Sequence, residues 1–223
     1  MRNSFLKFSF FLFLSSLFCE PLHIHLSTEK QGKEIYVFPI EIQESSLSST
    51  YAEKLKEVFI FDANQSGVLY VAEKDPAKEE SCQGKEIDKA AFASVWARAF
   101  IDYVVSFKVE KEQLILSLLH VKERKVQKFK AVTLTKNLSI DRRVMHRLFD
   151  ALHEAIFHKP GIASGKILYA VRNARAGKGR HRWQSDIWMC DVDGCNAKLI
   201  LRDGSYAMSP LAISYNNKGD LDQ

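Results

Sequence analysis

The stretch "SDIWMCDVDGCNAKLI", Ser185 to Ile200, supports three different readings. Cys190 and Cys195 could bind a metal or join as a disulfide. Asp191-Val192-Asp193-Gly194 could open a calcium loop. Or two short strands could turn on Asp193-Gly194. A calcium loop counted from Asp191 needs its glycine at position 196 and a bidentate acid at 202. Asn196 and Arg202 stand there instead, so calcium is rejected. Two thiolates make half a zinc site, and no second Cys pair or close His pair completes it. Cross-strand neighbours can be near enough for a disulfide, so Cys190 and Cys195 stay open as a candidate disulfide or as unpaired thiols. What remains is a hairpin, with strands in "SDIWMCD" and "AKLILRD".

Working outward, "KILYAV" precedes this hairpin, and no helical period occurs beyond Pro160. Upstream the pattern differs. "KEIYVFPIEI" (33–42) reads as a strand, with Tyr36 and Phe38 on one face and Val37 on the other. Thr50 and Glu53 read as a capping box. Tyr51, Leu55, Val58 and Phe59 then follow at helical spacing up to a stop near Gly67, and "VLYVA" is the next strand. A charged stretch (73–89) reads as a loop, and "DKAAFASVWARA" as a short helix. "IDYVVSFKV", "QLILSLLHV" and "VQKFKAVTL" read as a meander of antiparallel strands. A long helix is expected over about Ser139 to His158, burying Met145, Leu148, Phe149, Leu152 and Ile156. Lys159-Pro160-Gly161 stops it.

The first nineteen residues stand apart. Arg2 and Lys7 precede an apolar run from Phe8 to Phe18, too short to span a bilayer. Charged start, apolar centre and the polar Glu20-Pro21 exit describe a secretory signal peptide, with cleavage after Cys19. Lipid attachment at Cys19 is the rival, but Phe18 stands where a small residue is wanted. The formal net charge is +5, and Arg2 and Lys7 leave with the signal. One basic loop carrying Arg172, Arg175, Lys178, Arg180 and Arg182 exceeds the excess that remains, so the rest of the chain is near neutral or slightly acidic. This is a basic loop rather than a basic protein, and no nucleic-acid partner is expected. Cys82, Cys190 and Cys195 would remain after cleavage, an odd set that argues against a disulfide framework.

Other motif-like stretches fail on spacing. In "HEAIFH", His153 and His158 are five residues apart, about 140° around a helix, and cannot share a metal. "GIASGKI" (161–167) has its glycines one residue too close for a phosphate loop, and Ile167 replaces the Ser or Thr that would hold magnesium. His23 and His25 belong to an extended N-terminal arm. No nucleophile or paired-carboxylate arrangement emerges, so no catalytic residue, cofactor or metal is assigned.

Several stretches, in order, resemble the TolB family, the periplasmic component of the Tol–Pal system. They are "VFPI", "FDANQSGVLYVAEKD", "SVWARAFIDYVVSFKV", "DALHEAIFHKPGIASGKILYAV" and "SDIWMCDVDGCNAKLILRDGSYAMSP". The resemblance covers about residues 33 to 210. It implies an α/β N-terminal domain (mixed sheet with helices) followed by a β-propeller, here an incomplete propeller segment. The expected plan is a signal peptide (1–19), an arm (20–32), the α/β domain (33–160) and a partial blade (165–223).

The resemblance also implies a non-enzymatic, periplasmic, monomeric protein, peripheral to the outer membrane at most. It would serve envelope integrity, cell division and protein import. Its partners would be TolA-like and Pal-like proteins, the TolA-type contact falling on Leu22, His23, Ile24, His25 and Leu26. After Met208-Ser209-Pro210 the family continues into further blades, whereas this chain reads "LAISYNNKGDLDQ". A truncated product without Pal binding is therefore expected, with residues 165–210 an exposed, poorly supported hairpin. The rival readings are the N-terminal part of an exported propeller-bearing hydrolase, and a small exported adaptor using the α/β domain alone.

Overall fold

The computed structural model describes residues 32–75, 92–174 and 183–202. The signal peptide, the arm with Leu22 to Leu26, Cys82, most of the basic loop and residues 203–223 lie outside them.

Strand β1 (Lys33–Val37) pairs in parallel with β3 (Leu69–Val71) on one side and with β4 (Tyr103–Glu110) on the other. The expected 33–42 strand is broken at residues 38–40. Its second part, β2 (Glu41–Gln43), also pairs with β4. Helix α1 (Ser49–Gln65) makes the crossover from β2 to β3. β4 turns through Lys111 and Glu112, both at positive φ, into antiparallel β5 (Gln113–His120). That two-residue geometry matches the twist of a hairpin. The third meander strand is split into β6 (Lys125–Lys128) and β7 (Val132–Thr133), which pair with different parts of β5. The sheet is therefore mixed, in the order β3-β1-β4-β5-β6.

This sheet is buried on both faces, which explains why Ile35 to Phe38 are apolar in succession rather than alternating. Ile35, Val37, Phe107, Leu116 and Leu118 face α1 and α3 (Leu138–Phe157). Phe59 of α1 stacks edge-on against Phe107 at 5.0 Å and against Phe149 of α3 at 5.4 Å. Tyr36, Phe38, Val104 and Leu119 face the short helix α2 (Ala93–Ala97), whose Trp96 ring lies 4.7 Å from Tyr36. The apolar helix faces are thus core.

Cap positions differ from expectation. Ser48, not Thr50, caps α1, its Oγ accepting from the Tyr51 N–H at 3.2 Å. Asn137 caps α3, and His158 closes it in the left-handed conformation at φ 56°.

The chain leaves α3 by folding back on it. Asp150 accepts from the N–H groups of Ala163 at 2.7 Å and Ser164 at 2.9 Å. This close return admits no side chain at residue 161: a Cβ there would lie 2.2 Å from Asp150 Oδ1 and 2.7 Å from its Cα. Gly161→Ala is expected to cost about 1–3 kcal/mol through overpacking, read as a lower urea midpoint at unchanged slope. An unchanged midpoint would contradict the contact.

Strands β8 (Lys166–Ala174), β9 (Trp183–Asp191) and β10 (Lys198–Leu201) form a second, three-stranded antiparallel sheet. Its β9–β10 turn is closed by Gly194 at φ 78°, whose N–H donates to the Asp191 carbonyl at 2.9 Å. The expectation of weak support describes β10, where all four residues are exposed. It does not describe the turn, which is tied to α3.

Candidate functional site

The ties begin with two polar residues on apolar helix faces. Asp62 follows Phe59 by three positions on α1, and His146 precedes Phe149 by three on α3; the core-facing stripe of each helix carries them inward. Both are buried. His146 Nδ1 lies 2.7 Å from Asp62 Oδ2. Its Nε2 faces Asp193 Oδ2 of the β9–β10 turn at 3.2 Å, an ion-pair distance without hydrogen-bond alignment. Asp193 also accepts from Arg142 Nε at 3.1 Å and from the Cys195 N–H at 2.9 Å. Next to it, buried Asp191 is bonded by Lys166, by Asn196 Nδ2 at 2.5 Å, and faces Arg143 Nε at 3.8 Å. Asn196 reaches back to the Ser139 carbonyl at 3.2 Å. On the far side of the small sheet, Asp186 accepts from Arg202 at 2.7 and 3.0 Å.

The electrostatics follow from this packing. Burial pulls the His146 pKa down, but the bond to Asp62 and the charges of Asp62, Asp193 and Asp191 outweigh it and leave it raised. Burial pushes the Asp62 carboxyl up despite its imidazole partner. Burial acts likewise on Asp193, but the Cys195 N–H, Arg142 and His146 hold it below the usual carboxylate range. The direction that survives for the His146–Asp62 pair is a ring that keeps its proton, because two further carboxylates favour the imidazolium.

A histidine between carboxylates invites a catalytic reading, and this geometry opposes it. Both ring nitrogens face carboxylates and the ring is 1% exposed, so no free lone pair meets solvent or substrate. His146, Asp191 and Asp193 bring ligand atoms within 4.8 Å of one another, as a metal centre would. Arg142, Arg143 and Lys166 already neutralise those carboxylates. The cluster is a structural junction. The adjoining cavity, about 110 Å³, is lined by Arg143, Lys166, Cys190, Asp191 and Lys198 among others. A larger cleft of about 330 Å³ lies elsewhere, beside Tyr36 and Trp96. Glu73, Lys74 and Asp75 also line it, and the Tyr36 hydroxyl accepts from the Asp75 N–H at 3.1 Å.

The residues singled out in the sequence fall as follows. Cys190 is a buried free thiol and Cys195 a half-buried one. Burial first, then the neighbouring aspartates, pushes both thiols up, so they stay protonated. His153 Nδ1 contacts the Lys159 carbonyl at 3.0 Å, and His158 occupies the helix cap. Asp150 fills the N–H cradle of the 161–165 loop, the place a phosphate would take in a true phosphate loop. Asp62 and His146 escaped the sequence reading. Their signal was a titratable residue at an apolar-stripe position in each helix.

Comparison with known proteins bears on the whole chain. No protein-family model matches it. A TolB homolog of Protochlamydia amoebophila is 29% identical over 201 residues, covering 90% of this chain and 43% of the relative. A TolB homolog of Chlamydia pneumoniae is 25% identical over 210 residues, covering 94% and 43%. The chain is a TolB-like protein. The crystal structure of TolB from Acinetobacter baumannii shares its fold at a TM-score of 0.53 and 21% identity, over 78% of this chain and 39% of that one. The TolB-like chain thus spans less than half the length of the curated relatives it matches. Among its described residues, no helix is long and apolar enough to cross a membrane.

Proposed function

We propose that this TolB-like chain is an exported, periplasmic envelope component of Tol–Pal type that works by binding proteins rather than by catalysis. The observation that carries the reading is the match to TolB homologs across 90% of the chain. Two features support it. The polar cluster that most resembles chemistry is neutralised from within the chain. The post-signal arm "EPLHIHLSTEKQG" occupies the place where the TolB family binds its TolA partner. Leu22, His23, Ile24, His25 and Leu26 are the contact residues proposed. Residues 165–223 are proposed as part of a propeller blade.

The test uses residues 20–223 titrated calorimetrically against the C-terminal domain of a TolA-like protein from the same envelope. Binding on the order of 1 μM, about −8 kcal/mol, is expected. Deleting residues 20–28 should abolish it without lowering thermal stability. Equal binding with and without the arm would refute the assignment, as would no binding at all. The soluble domain of a Pal-like lipoprotein serves as the comparison, since in the family that contact belongs to the propeller. No binding to it is expected.

A further inference from the structure

His146 stands where three chain segments meet. Asp62 reaches Nδ1 from α1, Asp193 reaches Nε2 from the β9–β10 turn, and the ring belongs to α3. An imidazolium donates from both nitrogens, whereas a neutral imidazole donates from one. The neutral ring can therefore serve one of these carboxylates, and the other must face a lone pair. We propose that His146 is a pH-sensitive latch: its doubly protonated ring holds the β9–β10 turn against α1 and α3, and loss of one proton loosens that turn. The shorter, aligned bond is the one to Asp62 at 2.7 Å. The proton therefore leaves Nε2, and the latch opens on the Asp193 side while α1 and α3 stay joined.

The charges around the ring set the sign. Asp62 faces it from α1, and Arg142, Arg143 and Asp150 belong to α3. Lys166 comes from β8, and Asp191, Asp193 and the Cys195 thiol come from the turn. Carboxylates dominate at the ring itself, which raises its pKa above the ordinary 6.5. A raised value means that the closed latch holds its proton more tightly than the open one. Asp62 stays on the ring in the open state too, so only the part of the rise owed to Asp193 and Asp191 belongs to closure. Closure is favoured while both nitrogens carry protons and is lost as pH rises through the raised value. Between the values of the open and closed states closure weakens, by at most about tenfold per pH unit. Arg142 stays on Asp193 throughout, so loosening is partial. On the acid side Asp193 keeps its charge to below the ordinary carboxylate range, so the latch stays closed there.

The full chain, labelled with ¹³C/¹⁵N-histidine, tests this by NMR between pH 5 and about 9.5. The His146 Cε1 signal should titrate above the ordinary histidine value. Across the same midpoint, exchange protection of the Gly194 and Cys195 amides should fall roughly tenfold after correction for intrinsic rates, while α3 amides hold. A His146 signal that does not titrate in this range overturns the proposal. So does titration that leaves the turn amides unchanged. His146→Gln should show low turn protection at pH 6 and no step; if it does not fold, the wild-type titration decides alone. Neither result depends on the TolB-type reading of function.

Discussion

Replacing Asp141 with alanine is expected to remove about 3–5 kcal/mol of stability, a large share of what a domain of this size has. Asp141 is fully buried, and both its oxygens are used. It accepts from the Tyr51 hydroxyl at 2.6 Å and from the Thr135 N–H at 2.9 Å. The Thr135 hydroxyl, also at 2.9 Å, and the Lys136 N–H at 3.0 Å complete the set. Alanine would strand these four donors. A buried donor without a partner costs about 1–3 kcal/mol, and because Tyr51 is half-buried and Thr135 and Lys136 are exposed, water relieves part of that loss. Burial and this carboxylate together push the Tyr51 hydroxyl far above its ordinary pKa, so it remains a donor. Tyr51→Phe removes one donor with its bond and should cost about 1 kcal/mol. Urea unfolding followed by tryptophan fluorescence gives both values. A cost below 1 kcal/mol for Asp141→Ala would show that water replaces the carboxylate.

His146→Leu is the second large effect, at about 3–5 kcal/mol, because breaking a buried pair leaves its partner uncompensated. Here Asp62 would keep its burial and lose its cation, and Asp193 would keep Arg142 and the Cys195 N–H. The informative comparison is Asp62→Leu combined with His146→Leu. Apolar replacement of a whole buried pair is often nearly neutral, so the double variant should be more stable than His146→Leu alone. A coupling of about 1–3 kcal/mol is expected between the two sites. Additive costs would mean that the two residues act independently.

Periodicity carried the sheet and the helices. The apolar stripe Leu55–Val58–Phe59 located α1, and Met145 to Leu152 located α3, because burial of one face repeats every turn. The start of α1 was harder. In "SSLSST" several residues can cap, and the choice of Ser48 follows from Leu47, which packs half-buried against the core just ahead of it. A hydrophobic residue at that place fixes the chain entry angle, and only tertiary structure reveals it. The junction was out of reach for a different reason. Asp62 and His146 are separated by 84 residues, and one sequence contains no sign of which buried acid meets which buried base. Asp193 is legible as a turn residue from Asp193-Gly194. Its second role, as the anion that ties the turn to α3, depends on Arg142 and His146, whose direction is set by the helix as a whole.

The parallel pairing of β1 with β4 also governs how the chain must assemble. The Glu34 N–H reaches Asp102 across 68 residues of sequence, whereas β4 and β5 meet through a two-residue turn. Closing the long loop loses chain entropy before any ladder bond repays it. The β4–β5 hairpin can therefore form in microseconds, while β1 waits for α1 and α2 to bring it and β4 together. Refolding should be paced by that late insertion, in milliseconds to seconds as in other topologies rich in distant contacts. During this interval one edge of β4 stands open to whatever strand arrives first.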